Sequence, residues 1–300
     1  MDLSHSLERV AAFFDRRTTR QAWVARRAVG RAFRSDDELR AQLIGKATGA
    51  LSRAGGLKEP VTVVGLLEDL VDLDAPAEAL GPAVTSLLAL GGRPGAFGEG
   101  CTAARHNHRV CEHFIGGFFS PAPPTQRVAP VTLPNGRAYR IESQARFAVS
   151  CWILQVVLRA GRVGDPNAVR HLDSFTNLLE VWEAWDDMLQ PDLAFGAAAA
   201  LAAAPERWRS AQEALVRLIG NHQLPDGTWP RVDFFTALDG LSRVSDAVAR
   251  PLLERAVPGL LQRQREDGSF GSVALDERAL IGLRVLLRVG ARLDPQPARG

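Results

Sequence analysis

Strongly apolar stretches of this chain alternate with stretches whose apolar residues recur at helical spacing, and short turn signals separate them. The apolar kind is seen at 193–204 and around Phe234, Phe235, Ala237 and Leu238. The amphipathic kind follows each one and leads into the next turn. The pattern predicts an all-α chain built of units, each a turn, a mostly apolar helix, a short break and a second, amphipathic helix. Such a unit cannot bury its apolar helix alone. Stacking about six in a ring would surround the apolar helices with the amphipathic ones.

Further elements follow from local signals. Residues 2–34 read as one or two amphipathic helices with a basic face, and Arg9, Arg16, Arg17, Arg20 and Arg26 interrupt any apolar run there. That face is read as solvated or as a surface for a partner or a membrane. Ser35-Asp36-Asp37-Glu38 is a capping box, so a helix starts there and runs toward Ala50. Residues 62–73 and 102–119 are the first two inner, apolar helices, and Glu142 opens the third. Between them, 120–136 holds Pro121, Pro123, Pro124, Pro130 and Pro134, which excludes helix and makes a long loop, either a lid or a surface connector. Inner and outer helices then alternate to Val289, and 294–300 is a frayed tail.

The turns themselves repeat. Gln264-Arg265-Glu266-Asp267-Gly268-Ser269-Phe270-Gly271 matches Gln223-Leu224-Pro225-Asp226-Gly227-Thr228-Trp229 as Gln-x-x-x-Gly-x-aromatic. Fainter copies are Pro191-Asp192-Leu193-Ala194-Phe195-Gly196, Asn135-Gly136-Arg137-Ala138-Tyr139 and Pro94-Gly95-Ala96-Phe97-Gly98, with Gly55-Gly56-Leu57 a possible sixth. After two of the turns an x-Ala-Leu-x-Gly-Leu pattern recurs, at Ala237 to Leu241 and at Ala279 to Leu283.

These residues resemble a known superfamily. Arg255-Ala256, Leu260, Gln264, Gly268 and Phe270 follow the QW motif of squalene and terpene cyclases, with Gly259 at its aromatic position and Phe270 in place of its tryptophan. Gln223, Gly227 and Trp229 match the motif's core, and the related protein prenyltransferase β subunits use similar Asp-Gly-Ser-Phe-Gly turns. The resemblance covers roughly residues 45–290. It implies an α/α toroid of inner and outer helices around a central cavity, with 1–44 as an N-terminal helical segment packed on the barrel, 45–292 as the toroid and 293–300 as the tail. It implies that each turn glutamine caps helix ends and stacks on the aromatic. The acid motif of class II terpene cyclases, Asp-x-Asp-Asp, is missing; the nearest string is Asp72-Leu73-Asp74-Ala75, beside Glu68 and Asp69.

Composition narrows the picture only a little. The chain has 300 residues, 46% apolar and 23% charged, so it can build a sizeable core. Its net charge of +2 is too small to argue for nucleic acid. No apolar run is long enough for an integral membrane segment, and no signal peptide is visible before Ser35. Three cysteines without framework spacing suit a reducing cytoplasm. The scarcity of lysine beside abundant arginine and alanine suggests a bacterial, GC-rich source.

Candidate chemistry lies where polar residues interrupt the inner helices. Cys101, Arg105, His106, His108, Arg109, Cys111, Glu112 and His113 crowd into one short segment. As a helix it would place His106, Arg109 and His113 toward the cavity, for acid–base work or substrate contact, and His108, Cys111 and Glu112 on another face as possible metal ligands. A structural, hydrogen-bonded cluster is the alternative. Asp233 and Asp239 sit in a strongly apolar stretch. A desolvated carboxyl there has a raised pKa and can serve as a general acid, while Asp239 also has Arg243 one turn on as an ion-pair partner. Glu142, Arg146, Phe147, Trp152, Phe235 and Thr236 are candidate substrate contacts, against the alternatives of capping and core packing.

Three functions follow as expectations. The first is an atypical terpene-cyclase-like enzyme, a cyclase, isomerase or lyase of bacterial secondary metabolism, acting on a hydrophobic isoprenoid or polyene with no required cofactor. The second is a non-catalytic protein binding such a ligand. The third is a metal-dependent prenyltransferase-like subunit needing a partner. The oligomeric state is left open.

Overall fold

The computed structural model describes residues 3–53, 60–89, 127–183, 185 and 191–293. The described part is almost wholly helical. Its helices are α1 (Leu3–Asp15), α2 (Arg20–Ala28), α3 (Asp36–Arg53), α4 (Pro60–Asp72), α5 (Ala77–Ala89), α6 (Glu142–Arg159), α7 (Pro166–Glu183), α8 (Asp192–Ala202), α9 (Arg209–Asn221), α10 (Phe234–Arg243), α11 (Asp246–Gln262) and α12 (Leu275–Arg288). A two-stranded antiparallel hairpin, β1 (Val131–Thr132) and β2 (Ala138–Tyr139), precedes α6. The all-α expectation holds, and the apolar-then-amphipathic alternation places helices where it predicted them from α6 onward.

The even-numbered helices contact one another in a closed cycle: α2 with α4, α4 with α6, α6 with α8, α8 with α10, α10 with α12, and α12 back to α2. The odd-numbered helices pack on them, as α9 does on α8 and α11 on α10 and α12. The reason lies in composition. Asp192-Leu193-Ala194-Phe195-Gly196-Ala197-Ala198-Ala199-Ala200-Leu201-Ala202 buries residues all around α8, and its small side chains let α6 and α10 close in on both flanks. Gly240 belongs to the same tight joint: a Cβ there would lie 2.6 Å from the Phe195 carbonyl oxygen. Thr19 caps α2 by accepting from the Ala22 amide, and α3 starts at Asp36 with three acids in its first turn, Asp36 accepting the Phe33 amide.

The two glutamine turns each reach a further odd-numbered helix. Gln223 Nε2 donates to Gly227 O within its turn (3.1 Å) and to Leu252 O of α11 (3.0 Å). Gln264 Nε2 donates to Gly268 O (3.5 Å) and to Ser6 O of α1 (2.9 Å). The glycines press on the same two helices. A Cβ on Gly227 would lie 2.3 Å from Arg255 O, and one on Gly268 would lie 2.1 Å from Arg9 O. So α1 receives the α11 turn as α11 receives the α9 turn, and the first helix of the chain closes onto the last repeat. The backbone needs glycine at both places, with φ of +83° and +87°. Gly268→Ala is expected to cost more than about 2 kcal/mol, from left-handed strain plus displacement of α1. Urea denaturation measures it, and a loss within about 0.5 kcal/mol contradicts this role.

The basic face of the N-terminal segment divides. Arg16 and Arg27 face solvent, while Arg20 and Arg26 are buried. Reading the whole face as solvated or membrane-facing is therefore corrected for these two. Arg26 forks onto the Asp36 carboxylate at the α2–α3 corner, and Arg20 points among acids of α4 and α12.

Candidate active site

The hairpin stands over one end of the cycle. Asn135 and Gly136 make its turn: Gly136 N donates to Leu133 O (2.9 Å), and Asn135 Oδ1 accepts from Arg137 N (3.0 Å). The strand pleat turns Val131 and Tyr139 inward and Thr132 and Ala138 outward. Three contacts fix the hairpin across the helices. Arg278 Nε of α12 donates to Asn135 O (3.0 Å), Asn135 Nδ2 reaches the Thr236 hydroxyl of α10 (3.5 Å), and Arg137 Nε lies 2.5 Å from Asp192 Oδ2 of α8. The chain entering the hairpin is held by Glu142, whose carboxylate accepts from Val128 N and Ala129 N and from Arg146 Nε.

Beneath the hairpin lies a cavity of about 60 Å³, room for a few waters. Its upper wall is Asp192, Tyr139, Asn135 and Thr236. Its middle is apolar, with Leu133, Ala148, Cys151, Trp152, Phe195 and Ala199. Its floor is ionic, with Glu68, Asp239, Arg243 and Glu277. Asp192 has no exposed surface. Burial pushes its carboxyl up while Arg137 pulls it down, and the balance sets it at about 6. Burial also pushes the Tyr139 hydroxyl and the Cys151 thiol up, so both stay protonated at neutral pH.

The floor belongs to a buried ion network. Arg20 reaches Glu277 (2.5 Å), Asp72 (2.7 Å), Asp69 (3.2 Å) and Glu68 (3.8 Å). Arg159 pairs with Asp72, Arg243 with Asp239 (2.9 Å) and Glu68 (3.5 Å), and Trp152 Nε1 donates to Glu68 (2.9 Å). Burial works against the charge on Arg20, but its four carboxylates outweigh burial and raise its pKa. Burial likewise raises the Asp72 carboxyl, and Arg20, Arg159 and Arg284 overturn that and hold it well below the usual range.

The predicted residues separate on this frame. Asp239, Thr236 and Trp152 line the cavity, and Asp239 makes the ion pair its spacing with Arg243 suggested. Phe147 is wholly buried edge-on to Phe175, and Phe235 packs against Phe234 and Phe270 with Arg278 over its ring. Glu142 and Arg146 form the anchor just described. Asp233 lies ahead of α10 rather than on it. Its carboxylate caps the helix by accepting from Thr236 N (2.9 Å) and the Thr236 hydroxyl (3.1 Å), and it is absent from the cavity wall. Asp233→Ala is accordingly expected to cost about 1 kcal/mol and Asp233→Asn only a few tenths, since asparagine also caps; thermal melts of the pair check this. His106, His108, Arg109, Cys111, Glu112 and His113 lie outside the described residues. Among the described residues no group of three or more histidines, cysteines or acids is placed to hold a metal ion.

Asp192, Tyr139, Glu277 and Arg20 were not singled out from sequence. Asp192 carried a legible signal, a lone carboxylate heading an otherwise apolar run. Tyr139 and Glu277 carried none, because their positions depend on the hairpin and on the return of α12 to α2.

A scan against protein-family models and a search of curated proteins each give no match for this chain. A solved structure described as a protein from Actinoplanes is similar over 97% of this chain and 100% of its own length, with a TM-score of 0.58 and 13% sequence identity. At that identity the likeness concerns the fold.

Proposed function

We propose that the helices form an α/α toroid and that the chain is a terpene-cyclase-like acid–base enzyme, a cyclase or isomerase working on a hydrophobic small molecule in the cavity beneath the hairpin. The toroid reading rests on the cycle of even-numbered helices and on the glutamine turns that bridge to successive outer helices. The catalytic reading rests on one observation: Asp192 is a buried carboxyl on the cavity wall whose pKa of about 6 suits proton exchange near neutral pH.

In this reading Asp192 delivers a proton to a carbon–carbon double bond held against the apolar wall. Phe195 and Trp152 offer aromatic faces to the positive charge that forms. The floor carboxylates Glu68 and Asp239 act on it from the far side, and Asp192, left as carboxylate, takes a proton back at the end. A polyene is larger than a cavity of about 60 Å³, so in this reading its entry requires the hairpin to lift and the Arg137–Asp192 pair to part. Partnering by Arg137 thus marks the resting arrangement.

Incubation with a panel of polyprenyl and polyene substrates, read by gas chromatography and mass spectrometry, tests this. A rearranged product is expected. A ligand that binds and returns unchanged supports the second reading, a non-catalytic binding protein, which the ion-paired floor favours.

A further inference from the structure

The inner helices α6, α10 and α12 each carry an arginine in the last turn, Arg159, Arg243 and Arg288. A cation there complements the negative end of the helix dipole, which is reason enough for those three. Arg284 stands one turn earlier on α12 and has no such reason. Together the four guanidiniums supply all the charged lining, among the described residues, of a recess of about 480 Å³ at the C-terminal ends of these helices. Ala199, Ala202 and Ala203 leave it open by being small.

The recess is distinct from the cavity under the hairpin. Gln155, Ala199 and Arg243 touch both and form the partition. Arg159 and Arg243 are engaged with Asp72, Asp239 and Glu68. Arg284 differs: its Nη1 is buried with no hydrogen-bond partner, and burial and the neighbouring Arg243 act against its charge more than Asp72, Glu277 and Asp239 act for it. Arg284 lines the recess, and a guanidinium N–H left bare beside other guanidiniums is a costly arrangement without an acceptor.

We propose that this recess binds the phosphate group of a small molecule, with Arg284 as its principal donor and Arg243 and Arg288 as flanking charge. Several forked donors from different helices fit a tetrahedral anion with many oxygens better than the two oxygens of a carboxylate. A recess of this size on a chain of net charge +2 suits a small molecule rather than a nucleic acid.

Isothermal titration calorimetry at constant ionic strength, with inorganic phosphate, pyrophosphate and malonate as probes, tests the site. Saturable binding of phosphate is expected, tighter for pyrophosphate and weaker by at least about tenfold for malonate. Arg284→Met is expected to weaken phosphate by at least about tenfold while melting no lower than the unaltered protein in phosphate-free buffer. Arg284→Lys, which keeps the charge but loses the fork, is expected to fall between them. Absence of saturable phosphate binding, equal affinity for malonate, or unchanged affinity in Arg284→Met overturns the proposal. Should Arg284→Met fail to fold, unchanged affinity in Arg284→Lys does so.

Discussion

Arg20→Met is expected to destabilise the protein by about 3–5 kcal/mol, seen as a large drop in the urea midpoint. Arg20 is the hub of the buried network. Its guanidinium serves Glu277, Asp72, Asp69 and Glu68 across α2, α4 and α12. Methionine conserves most of the volume, so little of the loss is packing. The loss comes from leaving buried carboxylates without their shared cation. Arg159 and Arg243 still face Asp72 and Glu68, but Glu277 keeps only the Gln21 amide among its hydrogen bonds described here. Adding Glu277→Gln to Arg20→Met is therefore expected to recover part of the loss, a coupling a double-mutant cycle resolves. Arg20→Lys is expected to fall between, because a point charge cannot reach carboxylates on two other helices at once. A loss under about 1 kcal/mol in Arg20→Met contradicts this account of how α2 is joined to α4 and α12.

Asp192→Asn is expected to lower turnover by about 10²–10⁴-fold, the span of a positioned acid, with ligand binding retained. Asparagine keeps the shape and loses the proton. The same residue leaves a mark on stability that needs no substrate. Its folded pKa of about 6 lies above the ordinary 3.8. Between these values the folded protein holds a proton that the unfolded chain has released, so stability falls as pH rises from 4 to 6 and is level above. For one fully buried group the fall is roughly 3 kcal/mol. Other groups titrate in this window, including Asp69, which burial with Glu68, Asp72 and Glu277 pushes to about 6 against Arg20. The informative quantity is thus the difference between the unaltered protein and Asp192→Asn across pH. Arg137→Gln removes the group pulling the carboxyl down and is expected to raise its pKa above 6.

The sequence made the local architecture legible and the centre of the molecule much less so. The Gln-x-x-x-Gly-x-aromatic turns located the ends of α9 and α11 because their glycines and glutamines answer local needs, a positive φ and orphan carbonyls. The same residues did not say that Gln264 reaches Ser6, because closure joins chain segments far apart in sequence. Asp239 was legible with Arg243 because one helical turn separates them. Asp233 was misplaced by a single position: ahead of α10 its carboxylate turns to the Thr236 amide and leaves the cavity. The acidic run Glu68, Asp69 and Asp72 and the basic stretch holding Arg20 were both visible, yet nothing local reveals that each neutralises the other. The cavity acid itself hid in a weak copy of the turn, where Asp192 heads an alanine-rich helix.

The most direct test of the central claim is a ¹³C titration of the side-chain carboxyls by NMR, with Asp192→Asn to assign the resonance. The account predicts a carboxyl that titrates near 6 and disappears in the variant. If no resonance lost in the variant titrates above about 4.5, Asp192 is an ordinary ionised partner of Arg137, and the proposed acid is not there.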